Sequence, residues 1–516
     1  MSNKKTVIKS LAMISVFTLI SKIMGFFRET MIASKYGANL ETDMYTAATT
    51  AVIFLIGALG SGLNTTLVPI FSEVEEKEGK RGKLKFMNKI MNIIGLIALI
   101  LCAVSYIFAP QITKLIAKGF TGETLAYTAY LMRIGVPIIL FLSITYIFSS
   151  FLQSENVFGP YAIMGIPYNL VFIIFLIFFA RRGNIDLLMF VSVIAASMQF
   201  LIQLPAVKHK RYRFSPDLDF KDPYVAKMFK LIVPILIGSS AYQINLVVDK
   251  TLASELVSGS ISVLNYSSKI YLMIISVFVM ALTTVIFPKL SSSMIRNESQ
   301  EIRSIISESV DIVALITLPA TFAIVFLSYP IVEILFQRNM FNETATLMTS
   351  GALTFYILGL FFASLRMIFE KVFYSMQKTK VPMINGLIAV AVNIAFDIIL
   401  VKFMQHKGLA LATSISSLVS AITLYISLKK VYPDIEIKDN LISLIKILAA
   451  SIIMALAMYL LFTLGVKVLG EKKIIKFLMM AISGVIALVI YVISLKALKV
   501  HALDAVLNYK RRNNEK

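Results

Sequence analysis

The chain has 516 residues, of which 58% are hydrophobic and only 15% are charged. Soluble domains usually carry about 25% charged residues, and a soluble fold with this composition would expose large apolar patches. Continuous apolar runs of about 20 residues recur along the chain, and each can cross a bilayer. Backbone groups in lipid must be hydrogen-bonded internally, and the alternation typical of barrel strands is missing. The sequence therefore excludes a soluble globular fold and predicts an all-α integral membrane protein.

The length rule gives about fourteen transmembrane helices. Their approximate limits are 8–34, 42–71, 87–113, 126–152, 159–180, 185–207, 228–254, 261–288, 305–328, 345–375, 382–403, 408–429, 441–464 and 474–497. Most Lys and Arg of the short loops fall on the side of the N-terminus, which predicts that both termini are cytoplasmic. The net charge of +21 is thus a topology signal. Its short basic loops do not form a domain, so we expect no nucleic-acid partner.

Short motifs suggest an internal repeat at a spacing of about 220 residues, as in many transporters. Three motifs recur in the same order in both halves: Ala33-Ser34 matches Ala253-Ser254, Thr65-Thr66 with Pro69 matches Thr283-Thr284 with Pro288, and Asn169 matches Asn393. Chance is the alternative explanation. The repeat predicts an N-lobe of six helices (1–220), a C-lobe of six helices (221–432), and two further helices with a basic cytoplasmic tail (433–516). Two lobes of like orientation predict a central cavity, where alternating-access transporters bind substrate.

The first span carries a polar wedge that cannot face lipid. Placed at 100° per residue, its polar, small and charged residues share one arc: Ser15, Thr18, Ser21, Lys22, Gly25, Arg28 and Glu29. Ionisable groups within a span are costly and are usually functional or paired. Lys22 lies near mid-span, which favours a cavity-lining role. The alternative for Arg28 and Glu29 is that they lie near a helix end and snorkel to the headgroups.

Other spans carry isolated charges. Asp43 opens the second span, where it either complements the helix dipole or serves the function. Lys269 lies about two turns into span eight. Arg366 and Glu370 in span ten are four residues apart, so an internal salt bridge is the alternative to a ligand contact there. A cation in each lobe would make a central cavity positive, and ammonium and guanidinium groups suit phosphate or carboxylate ligands.

A second set of polar residues offers oxygen ligands. Asp249 lies in span seven, Asn393 and Asp397 lie four apart in span eleven, and Thr413 lies early in span twelve. Carboxylate, amide and hydroxyl oxygens suit a small hard cation or proton coupling. The alternative is that Asp249 pairs with Lys250 near a helix end and that Asp397 is an interfacial acid.

Catalytic motifs are missing from the sequence: it has no nucleophile elbow, phosphate loop or paired thiols. The longest stretch outside the predicted spans is only about 20 residues. These features predict a transporter instead of an enzyme, with a membrane scaffold or a lipid-modifying enzyme as the alternatives.

Several segments carry a family resemblance. The segment 21–29 (SKIMGFFRE), followed by Asp43, resembles the N-terminal signature of the MurJ (MviN) family of lipid II flippases, in the multidrug/oligosaccharidyl-lipid/polysaccharide exporter superfamily. Segments 68–73, 266–269 and 377–382 extend the resemblance over most of the chain. The resemblance implies alternating-access export of lipid II, the undecaprenyl-pyrophosphate-linked peptidoglycan precursor, across the cytoplasmic membrane. We expect a monomer among membrane lipids. A flippase for another polyprenyl-linked glycan and a cation-coupled drug antiporter are the alternatives.

The resemblance also implies roles for individual residues. The cations expected to contact the pyrophosphate are Lys22, Arg28 and Lys269, with Arg366 as a further candidate. The residues expected to line or gate the cavity are Ser21, Gly25, Glu29 and Asp43. A sodium site is implied at Asp249, Asn393, Asp397, the carbonyl of Leu409, and Thr413. The family often has arginine where Lys22 and Lys269 stand, and lysine keeps the charge but loses the bidentate fork; Glu29 stands where aspartate is common.

Overall fold

In the computed structural model of the chain, the described residues are 2–180, 183–276, 286, 290–296, 298–433 and 438–500. The described ranges are almost entirely helical, and no strand occurs in them. The second half of the predicted repeat motif, Thr283-Thr284 with Pro288, lies outside the described residues, as does the basic tail after residue 500.

The chain divides into two compact units. One comprises Met1–Ser262 with Arg338–Phe341, and the other comprises Val263–Gln337 with Asn342–Lys516. The predicted lobes of 1–220 and 221–432 follow from the sequence repeat, and they stay a prediction.

The first unit is a helical bundle. Its helices are α1 Ser2–Tyr36, α2 Leu40–Ile107, α3 Ala109–Ile116, α4 Gly122–Gly135, α5 Pro137–Ser154, α6 Gly159–Ile163, α7 Gly165–Phe178, α8 Ile185–Leu201, α9 Leu204–His209 and α10 Pro223–Ser254. The long α2 packs against α5 and α10, while α1 packs against α6 and α7. The core between α2 and α5 includes edge-to-face rings, with Phe71 5.4 Å from Phe86 and 5.7 Å from Phe151 between centroids. Helix α1 therefore packs against two short helices of its own unit, α6 and α7.

The second unit is also helical. Its helices are α11 Ser260–Ile274, α12 Ser299–Phe336, α13 Glu343–Ile357, α14 Leu360–Ser375, α15 Lys380–Met404, α16 His406–Val431, α17 Lys438–Leu469 and α18 Lys473–Ala497. The first turn of α11, up to Ser262, still belongs to the first unit. Helices α15 and α16 pack against each other, as do α17 and α18, and α12 packs against α17. At the α15–α16 turn, a Cβ added to Gly408 would lie 2.5 Å from the carbonyl oxygen of Leu400. Only glycine allows this close approach, which brings the polar residues of α15 and α16 together.

The connection between the second and third predicted spans differs from the expectation. The sequence predicts a loop between 42–71 and 87–113, but α2 runs through it and breaks only at Gly79, whose φ is 70°. The charged stretch is rich in helix-forming residues, and Lys77 pairs with Glu73 one turn earlier at 2.9 Å, an arrangement that supports helices in water. Helical structure therefore extends beyond the apolar runs.

The predicted fold class is confirmed. Among the described residues, nine helices are long and apolar enough to cross a membrane, or ten if α13 and α14, bent by 43°, form one span. The exact number of fourteen spans stays a prediction, because α2 alone covers two predicted spans.

Candidate functional site

Arg28 on α1 is held by neighbours on two helices. Its Nη2 donates to Glu29 Oε1 at 2.6 Å and its Nη1 donates to Asn169 Oδ1 of α7 at 3.1 Å. The guanidinium lies 5.2 Å from the ring centroid of Tyr168 and 5.0 Å from that of Phe172. Its side chain is only 14% exposed. The snorkelling alternative for Arg28 and Glu29 is therefore wrong, because both side chains point into the bundle.

Asn169 joins several wedge residues. Its Nδ2 donates to the carbonyl oxygens of Ser21 and Gly165, each at 2.9 Å. A Cβ added to Gly25 would make an ordinary contact with this amide, 3.6 Å from Oδ1. At Gly165 an added Cβ would lie 2.0 Å from Ser21 Oγ, so α1 and α7 approach closely only because residue 165 is glycine. One amide thus holds two positions of the polar wedge, 21 and 28, by hydrogen bonds.

The guanidinium of Arg28 has donors left for a ligand. It has five N–H donors, and the described residues account for two of them. Its buried Nε has no hydrogen-bond partner within the described ranges. Lys22, nearly two turns earlier on α1, is half-buried. The wedge therefore combines a fixed, pre-oriented guanidinium with a lysine, a donor set that suits phosphate oxygens.

Asp43 caps a helix other than its own. The N-terminus of α2 is capped by Asn39, whose Oδ1 accepts from the Thr42 N–H at 3.1 Å. The carboxylate of Asp43 instead accepts from the N–H of Gly259 at 2.6 Å, and from the N–H and Oγ of Ser262 at 2.7 and 2.6 Å. Its three partners lie at the start of α11, and Asp43 is only 3% exposed. Asp43 does lie in the first turn of its own helix, and in addition its carboxylate hydrogen-bonds the start of α11, where an anion stabilises the helix N-terminus.

The predicted cations of the second unit have contrasting surroundings. Lys269 is half-buried on α11, and no hydrogen bond or ion pair engages its ammonium group within the described part of the chain. Arg366 on α14 has its Nε 3.3 Å from Glu370 Oε1, with 38% of the arginine side chain exposed. The internal salt bridge expected as the alternative for Arg366 is therefore present.

The predicted oxygen ligands fall on three helices. Asn393 and Asp397 are 2% and 0% exposed, one turn apart on α15. On α16 the hydroxyl of Thr413 donates to the carbonyl oxygen of Leu409 at 3.3 Å. Asp249 is half-buried on α10 of the first unit. Among the described residues, no group of three or more His, Cys, Asp and Glu is placed to hold a metal ion. The amide, carboxylate and hydroxyl oxygens on α15 and α16 are of the type that a small hard cation prefers.

Sequence reasoning missed the α7 side of the Arg28 site. The sequence indicated Asn169 only as the counterpart of Asn393 in the repeat. It indicated no role for Tyr168, Phe172 or Gly165. The available signal was an amide within an otherwise apolar helix, which needs a partner as much as a charge does.

Comparisons with known proteins agree on one family. A family model described as "Lipid II flippase MurJ" matches residues 32–498. The chain is 29% identical over 420 residues to the "Probable lipid II flippase MurJ" of Rickettsia prowazekii (strain Madrid E), covering 80% of this chain and 82% of the relative. It is 28% identical over 507 residues to the protein of the same name from Buchnera aphidicola subsp. Schizaphis graminum (strain Sg), covering 96% and 98%.

Solved structures resemble the chain as well. One described as "Lipid II flippase MurJ, inward closed conformation" is 26% identical, with a TM-score of 0.79 over 94% of this chain and 99% of that one. An inward-facing multidrug resistance MATE family transporter has a TM-score of 0.68 over 83% of this chain and 98% of that one, at 13% identity. The second likeness extends to the fold alone.

Proposed function

The chain belongs to the lipid II flippase MurJ family, and on this premise we propose how its own residues carry lipid II across the membrane. The pyrophosphate is the anionic centre of lipid II, and we propose that Lys22 and Arg28 of the first unit bind it. Lys269 and Arg366 of the second unit serve the same purpose. The observation that carries the proposal is the guanidinium of Arg28, which Glu29 and Asn169 hold in place while each of its terminal nitrogens keeps one N–H that no described residue uses.

The surroundings of Arg28 explain why a cation is tolerated there. An unpaired charge in an apolar interior is very costly, and Glu29 with two aromatic rings offsets that cost before substrate arrives. A phosphate that approaches the remaining N–H donors then meets a guanidinium that is already oriented. Binding therefore costs little further conformational entropy of the Arg28 side chain. Ser21 contributes because its carbonyl oxygen accepts a hydrogen bond from Asn169, and Asn169 in turn accepts from Arg28 and orients its guanidinium.

A sodium ion is the second component of the proposal. Asp249, Asn393, Asp397, Thr413 and the carbonyl oxygen of Leu409 would be its ligands. Asp397, whose side chain is 0% exposed, would contribute a carboxylate oxygen to it, the kind of ligand that a small hard cation prefers. Its electrochemical gradient would drive the cycle without ATP.

The wider setting follows from the family. The protein is a multi-span transporter of the cytoplasmic membrane that performs no covalent chemistry on its cargo. We propose that it acts as a monomer with both termini in the cytoplasm, and that it has no nucleic-acid partner.

Depletion of the protein in growing cells tests the proposal. We expect lipid II to disappear from the outer face of the cytoplasmic membrane, as measured by its accessibility to an externally added cleaving enzyme. Total lipid II should remain or rise, because synthesis at the inner face continues. Normal outer-face lipid II after complete depletion would refute the function. Accumulation of a different lipid-linked glycan would identify another cargo.

Complementation tests the residue roles. Lys77→Ala removes an exposed lysine from a surface ion pair and serves as the control for general loss of positive charge. We expect Lys77→Ala to restore outer-face lipid II, and Arg28→Ala and Lys269→Ala to fail at matched protein levels. If both Arg28→Ala and Lys269→Ala sustained growth as sole copies, the proposed pyrophosphate contacts would be wrong.

A further inference from the structure

The connection between α9 and α10 is an ordered, non-helical segment, residues 211–222, which we call the strap. Asn88 of α2 fixes it in both directions: its Nδ2 donates to the carbonyl oxygen of Arg213 at 3.1 Å, and its Oδ1 accepts from the Ser215 N–H at 3.0 Å. Asn92, one turn later, donates to the carbonyl oxygen of Ser215 at 2.8 Å. Two asparagine side chains thus replace the backbone partners that an extended segment would find in a sheet.

Charge and aromatic contacts complete the attachment of the strap. Lys89 of α2 donates to Asp219 at 2.9 Å and to Asp222 at 2.5 Å. At the other end, the ring of Tyr212 packs edge-on to Phe148, with centroids 6.4 Å apart. The strap is therefore held along its length, and its side chains divide into anchors that face α2 and α5 and others that face outward.

The outward side chains are large, apolar and basic. Phe214, Leu218 and Phe220 are 64%, 57% and 53% exposed. The cations Arg211, Arg213 and Lys221 are exposed on the same segment. The strap also carries three acids, Asp217, Asp219 and Asp222. The last two are paired with Lys89, so the strap together with Lys89 has one net positive charge.

The position of the strap along α2 sets its depth. Asn88, Lys89 and Asn92 lie at the start of the apolar run predicted to span the membrane from residue 87. The strap is therefore tied where α2 enters the apolar layer. At this level aromatic rings and long cationic side chains are favoured, because one part of each meets hydrocarbon and the other meets headgroups and water.

We propose that the strap is an interfacial lipid-binding element. Phe214, Leu218 and Phe220 insert between headgroups, and Arg211, Arg213 and Lys221 bind the phosphates of anionic lipids in the adjoining leaflet. The basic loops of membrane proteins in general explain the cations. They do not explain three exposed apolar side chains on a segment that is fixed by at least five side-chain hydrogen bonds to α2.

The partner is lipid and not a protein because each cation has an apolar neighbour within three residues, as insertion into an anionic interface requires. In this role the strap fixes the depth of α2 and of the start of α10 in the membrane. It also enriches anionic headgroups beside the first unit.

Tryptophan fluorescence tests the proposal directly, since the full chain contains no tryptophan. Phe214→Trp introduces one reporter on the strap. Lys80→Trp, beside the exposed kink of α2, is the water-facing control, and Leu99→Trp, 55% exposed in the predicted third span, is the lipid-facing control. The full-length proteins are compared in phosphatidylcholine vesicles with and without phosphatidylglycerol, using lipids brominated at a shallow acyl position.

We expect the reporter at 214 to emit at shorter wavelength than the one at 80 and to be quenched severalfold more strongly. The addition of phosphatidylglycerol should increase this quenching. Adding R211Q, R213Q and K221Q to the Phe214→Trp protein should abolish the increase. The same three substitutions in the Leu99→Trp protein should leave its quenching unchanged. They should also leave the thermal unfolding of the protein unchanged, which excludes a folding defect.

Equal quenching at 214 and 80 in both vesicles would overturn the proposal, because the strap would then face water. Strong quenching at 214 that ignores phosphatidylglycerol and survives the triple substitution would overturn its anionic-headgroup component. Both readouts are independent of lipid II transport. A negative result here would therefore leave the proposed function untouched, and failure of the proposed function would leave this result untouched.

Discussion

Arg28 of the first unit and Lys269 of the second are cations with the same proposed ligand and opposite surroundings. Arg28 is 14% exposed, paired with Glu29, bonded to Asn169 and flanked by two rings. Lys269 is half-buried, and no partner engages it within the described ranges. The first is part of the bundle's internal structure, whereas the second is available to a ligand without breaking any described contact.

This difference illustrates two ways in which a protein stabilises a cation before its ligand binds. A buried guanidinium must be neutralised and hydrogen-bonded to be tolerated, so its removal damages the fold as well as binding. A half-buried ammonium keeps part of its hydration, and its removal should affect binding alone. Transport assays do not distinguish these cases, so each substitution needs a stability measurement beside it.

The largest expected effect is that of Arg28→Ala. Removing one partner of a buried ion pair costs about 3–5 kcal/mol, because Glu29 is left charged in the bundle. We expect a large fall in the thermal unfolding temperature of the detergent-purified protein, together with loss of outer-face lipid II.

The matched control replaces both partners. In the Arg28→Met, Glu29→Gln double variant no charge is stranded, so most of the lost stability should return while transport stays abolished. A double variant as unstable as Arg28→Ala would show that the aromatic and Asn169 contacts, and not the stranded carboxylate, dominate. Recovery of transport in the double variant would remove Arg28 from the substrate site.

Lys269→Ala should abolish transport with little effect on stability. Substitutions that break no contact usually change stability by about 0.5 kcal/mol or less, so its unfolding temperature should match that of the unaltered protein. Lys269→Arg keeps the charge and adds the fork that suits phosphate, so it should retain transport. A marked stability loss in Lys269→Ala would reveal a structural role for this lysine, and its contrast with Arg28 would then be wrong.

The sequence predicted the membrane fold and the polar wedge from local patterns, because apolar run length and helical periodicity are properties of short segments. Those patterns could not identify the partners. Arg28 meets Asn169 across 141 residues and Asp43 meets Ser262 across 219. Either contact requires knowledge of which helices are neighbours.

The same limit explains what was mistaken. The snorkelling alternative for Arg28 considered α1 in isolation. In an isolated membrane helix, a charged side chain can reach headgroups and water only near a helix end. The loop expected between 72 and 86 assumed that helices end with their apolar runs, although charged residues in water support helix as well. The strap was invisible to the sequence reading, since its apolar residues are too few and too scattered to register as a span.

Substitutions of the two glycines at the α1–α7 contact, Gly25 and Gly165, test whether the surroundings of Arg28 are rigid. Gly165→Ala would place a Cβ 2.0 Å from Ser21 Oγ and 3.1 Å from Ser21 Cβ, and overpacking of this kind typically costs about 1–3 kcal/mol. Gly25→Ala is the matched control, because its Cβ would make only ordinary contacts at 3.6 and 3.7 Å. We expect a lower unfolding temperature and slower transport for Gly165→Ala alone.

A second substitution identifies the cause. Ser21→Ala removes the clashing hydroxyl but keeps the carbonyl that binds Asn169, so it should partly rescue Gly165→Ala. Equal behaviour of Gly25→Ala and Gly165→Ala would mean that α1 and α7 move apart easily, and Arg28 would then be no more fixed than Lys269.

The smallest expected effect concerns a paired cation outside the spans, Lys83, which is 1% exposed between Glu75 at 2.8 Å and Glu155 at 2.5 Å. Burial favours a raised pKa for Glu155, but hydrogen bonds from Lys83 and Lys210 outweigh it and hold the pKa below its usual value. A lowered pKa in the folded state means that this carboxylate stabilises the protein above about pH 4.3, its unfolded pKa, and that the contribution is lost as pH falls below it.

Thermal unfolding between neutral pH and about pH 3.5 should therefore show a stability advantage over Glu155→Gln that is constant at high pH and shrinks in acid. Glu76→Gln, at an exposed neighbour on α2, should leave the acid limb of the profile unchanged. If Glu155→Gln had the same acid limb as the unaltered protein, the buried lysine would depend on Glu75 alone.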